Sequence, residues 1–197
     1  MSYITGNRYL TQAEMETNAK YIWNYLGARG WSKNAVAGML GNMQTESTIN
    51  PGIWEGLNVN VGPGFGLVQW TPYTKYTDWC AERGLDPSAM DSALLRIEYE
   101  LDNGLQYYPT DTYGLTFAQF KVSTQSPEYL AQAFLLNYER PAESNQPNRS
   151  TQARAWFNVL EGGSVTPGDP ETPGTSVPLH RAKPLSTLLL VASRRRL

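Results

Sequence analysis

Thr11-Gln-Ala-Glu14 is a capping box: the Thr11 hydroxyl and the Glu14 carboxylate can each take a free amide proton at the start of a helix. Apolar residues follow at helical spacing, at Met15, Ala19, Ile22, Trp23 and Leu26, until Gly27 or Gly30 stops the run. The same grammar repeats along the chain. Ser32 caps a second stripe of Ala35, Val36, Met39, Leu40 and Met43. Thr71-Pro72 reads as a cap with proline at the first helical position, leading into Tyr73, Tyr76, Trp79 and Cys80 and stopping near Gly84. Asp91 can cap a helix bearing Leu94, Ile97, Glu98 and Leu101, and Thr116 a short one through Phe117 and Phe120. Ser126-Pro127-Glu128 opens another, with Leu130, Ala133, Phe134 and Asn137 on its stripe, and Pro141 ends it. A last helix covers about 151–160, with Trp156 and Phe157, before Gly162-Gly163. The expected fold is mainly α, with an irregular loop at 47–63 and a tyrosine-rich loop at 107–114.

Composition then divides the chain. Residues 1–162 read as one folded domain. Gly, Pro, Thr and Ser dominate 163–178, an expected extended, disordered linker. Residues 179–197 are a basic tail, expected to be disordered: five basic residues and no acid follow Pro178. The rest of the chain carries 11 basic against 18 acidic residues, a balance that argues against a nucleic-acid partner. The longest apolar run, Leu188-Leu-Leu-Val-Ala192, is far short of the roughly 20 residues of a membrane span. The first residues lack the apolar core of a signal peptide.

Histidine excludes more than it suggests. The single one, His180, lies in the tail, so the folded part has none for a Ser-His-Asp triad, a Cys-His peptidase or a His-ligated zinc site. One cysteine, Cys80, precludes an internal disulfide. No metal or cofactor is implied, and carboxylates, Tyr or Lys are left to run any chemistry. Glu46 stands out among them. It falls three residues after Met43, on the apolar stripe and at the helix C-terminus. Apolar surroundings and the helix dipole both favour a neutral carboxyl there, the form that donates a proton to a leaving oxygen. After a loop comes Gly64-Phe65-Gly66-Leu67-Val68-Gln69-Trp70, a glycine-rich turn leading to an amide and an indole. Glycoside cleavage uses such an acid, with amides and aromatics to hold sugars.

These segments carry a resemblance. Gly38 to Pro51, Gly64 to Pro72 and Asn137-Tyr138-Glu139-Arg140-Pro141, in that order, resemble the phage tail lysozyme family, which includes the wall-degrading domain of phage tail-knob proteins. Glu46-Ser47 followed by Gly-Leu-Val-Gln also resembles motifs of lytic transglycosylases. The resemblance covers about residues 8–162. It implies a lysozyme-like helical domain that cleaves the β-1,4 bond between N-acetylmuramic acid and N-acetylglucosamine, with Glu46 as the catalytic glutamate and Gln69 in the saccharide cleft. Ser47, Phe65, Gly66 and Trp70 are further candidates for substrate binding, against a backbone-bonding role for Ser47 and a core role for Trp70. Candidates for a second catalytic group are Glu55, nine residues after Glu46, then Glu139 and Tyr138. Against these stand a helix-end ion pair for Glu46, a solvated loop for Glu55, an ion pair with Arg140 or another base for Glu139 and packing for Tyr138. The implied partners are bacterial peptidoglycan and other phage tail proteins, with the protein on the virion tail or released to the host wall. The alternatives are a transglycosylase giving 1,6-anhydro products, or a non-catalytic glycan-binding or structural tail module.

Overall fold

Each expected helix forms. The computed structural model describes residues 2–162, which hold seven α-helices and no strand: α1 (Gln12–Gly27), α2 (Lys33–Ser47), α3 (Thr74–Ala81), α4 (Met90–Asp102), α5 (Phe117–Val122), α6 (Pro127–Phe134) and α7 (Asn148–Leu160). The expected linker at 163–178 and tail at 179–197 lie outside the described residues. Thr11 and Thr116 close full capping boxes, and the Ser32 and Ser126 hydroxyls accept from backbone amides of their first turns. Such caps contribute about 1 kcal/mol each.

Two starts differ from expectation. The Thr71–Pro72 peptide is cis and α3 begins later, at Thr74; the Thr71 hydroxyl donates to the Gln69 carbonyl at 2.9 Å instead of capping. Ala89, not Asp91, is the N-cap of α4, and the Asp91 carboxylate accepts from the Tyr21 hydroxyl at 2.6 Å.

Helix α2 is the axis of the domain. Eleven of its residues are buried, on every side, so neighbours must surround it. Glycines set how closely two of them approach. A Cβ at Gly38 would lie 2.9 Å from the Leu130 backbone of α6, and one at Gly41 would lie 2.8 Å from the Ala153 nitrogen of α7 and strike the Arg149 carbonyl. The order of contacts gives the directions. Asn34 bonds the Gln125 carbonyl, Gly38 meets Leu130 and Asn42 bonds the Ala131 carbonyl, so α6 runs parallel to α2. Lys33 pairs with Glu161, Gln44 accepts from Trp156 and Thr45 donates to Gln152, so α7 runs antiparallel. The C-terminal ends of α2 and α6 and the start of α7 therefore meet at one end of the domain. Helix α6 continues there into one π-turn, Leu135–Glu139, closed by Arg140 N–H on the Leu135 carbonyl at 2.7 Å.

Candidate active site

Glu46 sits where those three elements converge. Of its two expected settings, apolar surface and a helix-end ion pair, the structure shows the ion pair: Arg149 Nη2 donates to Glu46 Oε1 at 2.6 Å. The arginine side chain is 3% exposed and the glutamate side chain 21%. Arg149 is also held from two other directions, by Asn42 Oδ1 at 3.0 Å and Gln146 Oε1 at 2.7 Å. Three acceptors in fixed positions leave the guanidinium little freedom, and it orients the glutamate in turn. Glu46 Oε2 meets no hydrogen-bond donor among the described residues, so one oxygen is anchored and the other is available.

The turn after Glu46 is bent and heavily tied. Thr48 and Ile49 both adopt left-handed backbone, at φ 52° and 56°, which is rare for β-branched residues and collects at functional sites. Buried amides hold it. Asn18 Nδ2 donates to the Ile49 carbonyl at 2.8 Å, and Asn50 Nδ2 donates to the Gly6 and Arg8 carbonyls at 2.7 and 2.6 Å. The N-terminal arm is thereby lashed to the end of α2.

The glycine-rich segment docks on the same turn. Ser47, 1% exposed, donates to the Leu67 carbonyl at 2.8 Å, with the Met43 carbonyl 3.0 Å away as the other acceptor. Residues 53–70 form a small irregular hairpin with antiparallel bridges Trp54–Phe65 and Phe65–Trp70. Its backbone bonds include Glu55 N–H to the Gly64 carbonyl at 3.0 Å. At Gln69 the backbone is again left-handed, at φ 47°. The Gln69 amide nitrogen donates to the Ile53 and Gly66 carbonyls at 3.2 and 3.0 Å, which turns its Oε1 the other way, with no donor on it among the described residues. Gly64 shows what shares that space: a Cβ there would lie 2.9 Å from both Gln69 Oε1 and Glu55 Oε2. The half-buried Glu55 carboxylate and the Gln69 amide therefore flank one glycine, in a hairpin fastened to the residue next to Glu46.

This arrangement has relatives. Residues 17–160 match the phage tail lysozyme model. The chain belongs to the phage tail lysozyme family. It is 54% identical over 165 residues to morphogenesis protein 1 of Bacillus phage B103. That stretch is 83% of this chain and 45% of that protein, so the chain spans less than half the length of this relative. The described residues form the lysozyme-like helical domain of the family.

Among the other residues of this phage tail lysozyme domain singled out by sequence, Phe65 and Trp70 are each 3% exposed. Phe65 packs on Trp54 at 4.6 Å between ring centroids, and Trp70 stacks on Tyr76 at 4.2 Å. Gly66, at φ 83°, lets the Trp70 ring approach to 3.2 Å of where its Cβ would be. Tyr138 is 1% exposed and its hydroxyl donates to Glu100. Glu139, 5% exposed, ends the π-turn, and the Arg140 guanidinium lies over the Tyr108 ring at 4.6 Å.

Two groups that sequence reasoning missed hold this end together. Arg149 was placed before the start of the last helix. The helix begins earlier, and Arg149, Ala153 and Trp156 form one buried stripe. An arginine at the head of an apolar i, i+4, i+7 pattern was the available signal. The other is Glu100, 1% exposed, which accepts from Tyr138, from Trp70 Nε1 at 3.0 Å and from Arg96 Nε at 2.8 Å. Burial pushes its carboxyl above the usual carboxylate range, against the opposing pull of those donors. It ties α4 to both the hairpin and the π-turn. Among the described residues no cluster of three or more His, Cys, Asp or Glu is placed to hold a metal, and no helix is long and apolar enough to cross a membrane.

Proposed function

We propose that this domain cleaves the β-1,4 bond between N-acetylmuramic acid and N-acetylglucosamine in bacterial peptidoglycan, with Glu46 as general acid. The observation that carries the reading is the asymmetry of that carboxyl group: Oε1 is fixed by a buried arginine and Oε2 has no donor among the described residues. In the protonated form that reacts, Glu46 can accept from Arg149 on Oε1 while donating from Oε2 to the glycosidic oxygen. As the proton leaves, the acceptor also becomes charged and the Arg149 bond strengthens into a full ion pair. The arginine thereby favours the state in which the proton has moved, as positive charge develops at C1 of the muramic acid.

Glu55 is the second carboxylate in this reading. It is half-buried, it belongs to the hairpin that Ser47 fastens to the end of α2, and the turn at Gly64 brings it to Gln69. There it would hold the water that completes hydrolysis. Gln69 Oε1 would accept from a sugar amide or hydroxyl. Phe65, Gly66 and Trp70 would act from beneath, as the packed base of the cleft. Tyr138 and Glu139 belong to the frame behind it, Tyr138 through Glu100. The family and the B103 relative support a virion-associated protein that acts on the cell wall; in this reading it works beside other tail proteins, at infection or at lysis.

The test is mass spectrometry of soluble fragments from purified peptidoglycan, for the native sequence, Glu46→Gln and Glu55→Gln. Reducing muramic acid ends from the native protein alone support the hydrolase with both roles. Anhydro ends, retained in Glu55→Gln, would make it a single-glutamate transglycosylase. No fragments from the native protein would leave a glycan-binding or structural module.

A further inference from the structure

An open groove of about 450 Å³ is lined by Arg29, Trp79, Arg83, Glu98, Tyr99 and Lys121, with Leu95 and Asp102 at its edge. It is remote from Glu46. Ser32, the N-cap of α2, donates its backbone N–H to the Lys121 carbonyl at 2.8 Å, whereas Glu46 lies at the other end of the same helix. At 1.5 Å per residue the two ends of α2 are about 20 Å apart.

The groove holds donors that no described residue uses. Arg83 lies over the Trp79 ring at 4.6 Å and the Tyr99 ring at 5.2 Å. Its Nη1 serves the Trp79 carbonyl at 3.1 Å and the neighbouring Glu82 at 3.1 Å; its Nε and Nη2 meet no acceptor among the described residues. Lys121 lies 5.7 Å from the Trp31 ring and meets no carboxylate among the described residues. Trp79 is 7% exposed, and its indole N–H has no acceptor there either. An unpaired buried donor is costly unless something supplies an acceptor. Of the two acids, Glu98 is already engaged by Arg29 at 3.3 Å and by the Trp31 indole at 3.4 Å, leaving Asp102 exposed at the rim. A tilted aromatic pair, Trp79 and Tyr99 at 5.4 Å, forms the wall between the cations.

We propose that this groove is a second binding site, for an anionic saccharide of the cell wall. Its carboxylate or phosphate pairs with Arg83 and Lys121, and its ring lies along the half-buried Tyr99, since Arg83 and Arg96 cover the Trp79 ring. Cations presented on aromatic faces select an acceptor-rich anion over a neutral sugar. The site would keep the domain on the wall between cleavage events, which matters for a chain whose body is acidic overall. This rests on the wall being the target, and it is independent of the role given to Glu46.

The experiment uses the full chain carrying Glu46→Gln, so that no probe is cleaved. The Trp79 indole resonance is followed by two-dimensional NMR during titration with muramyl dipeptide, with a glycerol phosphate oligomer and with neutral chitotetraose. A Kd on the order of 1 mM corresponds to about −4 kcal/mol, within the range of such a titration. Saturable movement with muramyl dipeptide supports the site and identifies a carboxylate source. Movement with the phosphate oligomer supports it and identifies a phosphate source. In either case Arg83→Gln and, separately, Lys121→Glu should weaken binding at least tenfold while keeping the unfolding midpoint. No movement with either anion, equal movement with chitotetraose, or undiminished binding in both variants would overturn the proposal.

Discussion

Replacing Arg149 by Met tests whether the arginine that grips Glu46 is as central as its position implies. Methionine fills much of the same volume without charge or donors. The substitution leaves Asn42 Oδ1, in a fully buried residue, without its 3.0 Å donor, and leaves Glu46 Oε1 without its 2.6 Å partner. Removing one member of a buried ion pair typically costs about 3–5 kcal/mol. The Glu46 side chain is 21% exposed and can recover some hydration, so the lower end applies, about 3 kcal/mol. For a domain of this size that lowers the unfolding midpoint by roughly 6–12 °C. Urea unfolding followed by circular dichroism measures it, in a cycle with Glu46→Gln. The glutamine should relieve the uncompensated charge, so the double variant should be more stable than Arg149→Met alone, with a coupling of about 1–3 kcal/mol. A loss below about 1 kcal/mol for Arg149→Met, or additivity within about 0.5 kcal/mol, would refute the reasoning.

Glu46→Gln keeps an oxygen for Arg149 but removes the charge facing a guanidinium that is 3% exposed, so it should cost about 1–3 kcal/mol while still folding, and lose roughly 100-fold or more in fragment release; near-normal release would remove Glu46 from the chemistry. Gly41→Ala should destabilise by about 1–3 kcal/mol despite alanine's better helix propensity, because the added methyl meets Arg149 and Ala153 backbone rather than a yielding side chain; unchanged urea midpoints would contradict this. Ser47→Ala severs the tie to the Leu67 carbonyl and should cost about 1–3 kcal/mol while raising KM for wall fragments more than it lowers kcat. Glu100 holds its proton to higher pH when folded than when unfolded. Its contribution is therefore full below the ordinary carboxylate range and is lost as pH rises through the raised folded value. A stability–pH curve should flatten over that window in Glu100→Gln, and identical curves would rule out this contribution.

What could be read from sequence here was local. Thr11, Ser32, Thr116 and Ser126 cap the helices expected of them because a cap bonds its own first turn and needs nothing distant. The stripe from Ala35 to Met43 is buried as expected, and Glu46 follows it at the end of α2. Asp91 departs from its expected role for the complementary reason: its carboxylate has a partner 70 residues away, at Tyr21, and a side chain with a tertiary partner does not cap, whereas Thr71 is diverted locally, onto the Gln69 carbonyl two residues back. Within the candidate site, sequence named the glutamate but not the arginine. Glu46 and Arg149 are 103 residues apart, and only the antiparallel packing of α7 on the glycine face of α2 brings them together. The same holds for Glu100, whose hydrogen bonds with Trp70 and Tyr138 join segments 30 and 38 residues distant. Sequence by itself determined where helices start and which faces are apolar, since both are set within a few residues. Tertiary structure alone decided which polar groups are buried together, because burying a charge requires partners that only the packed chain supplies.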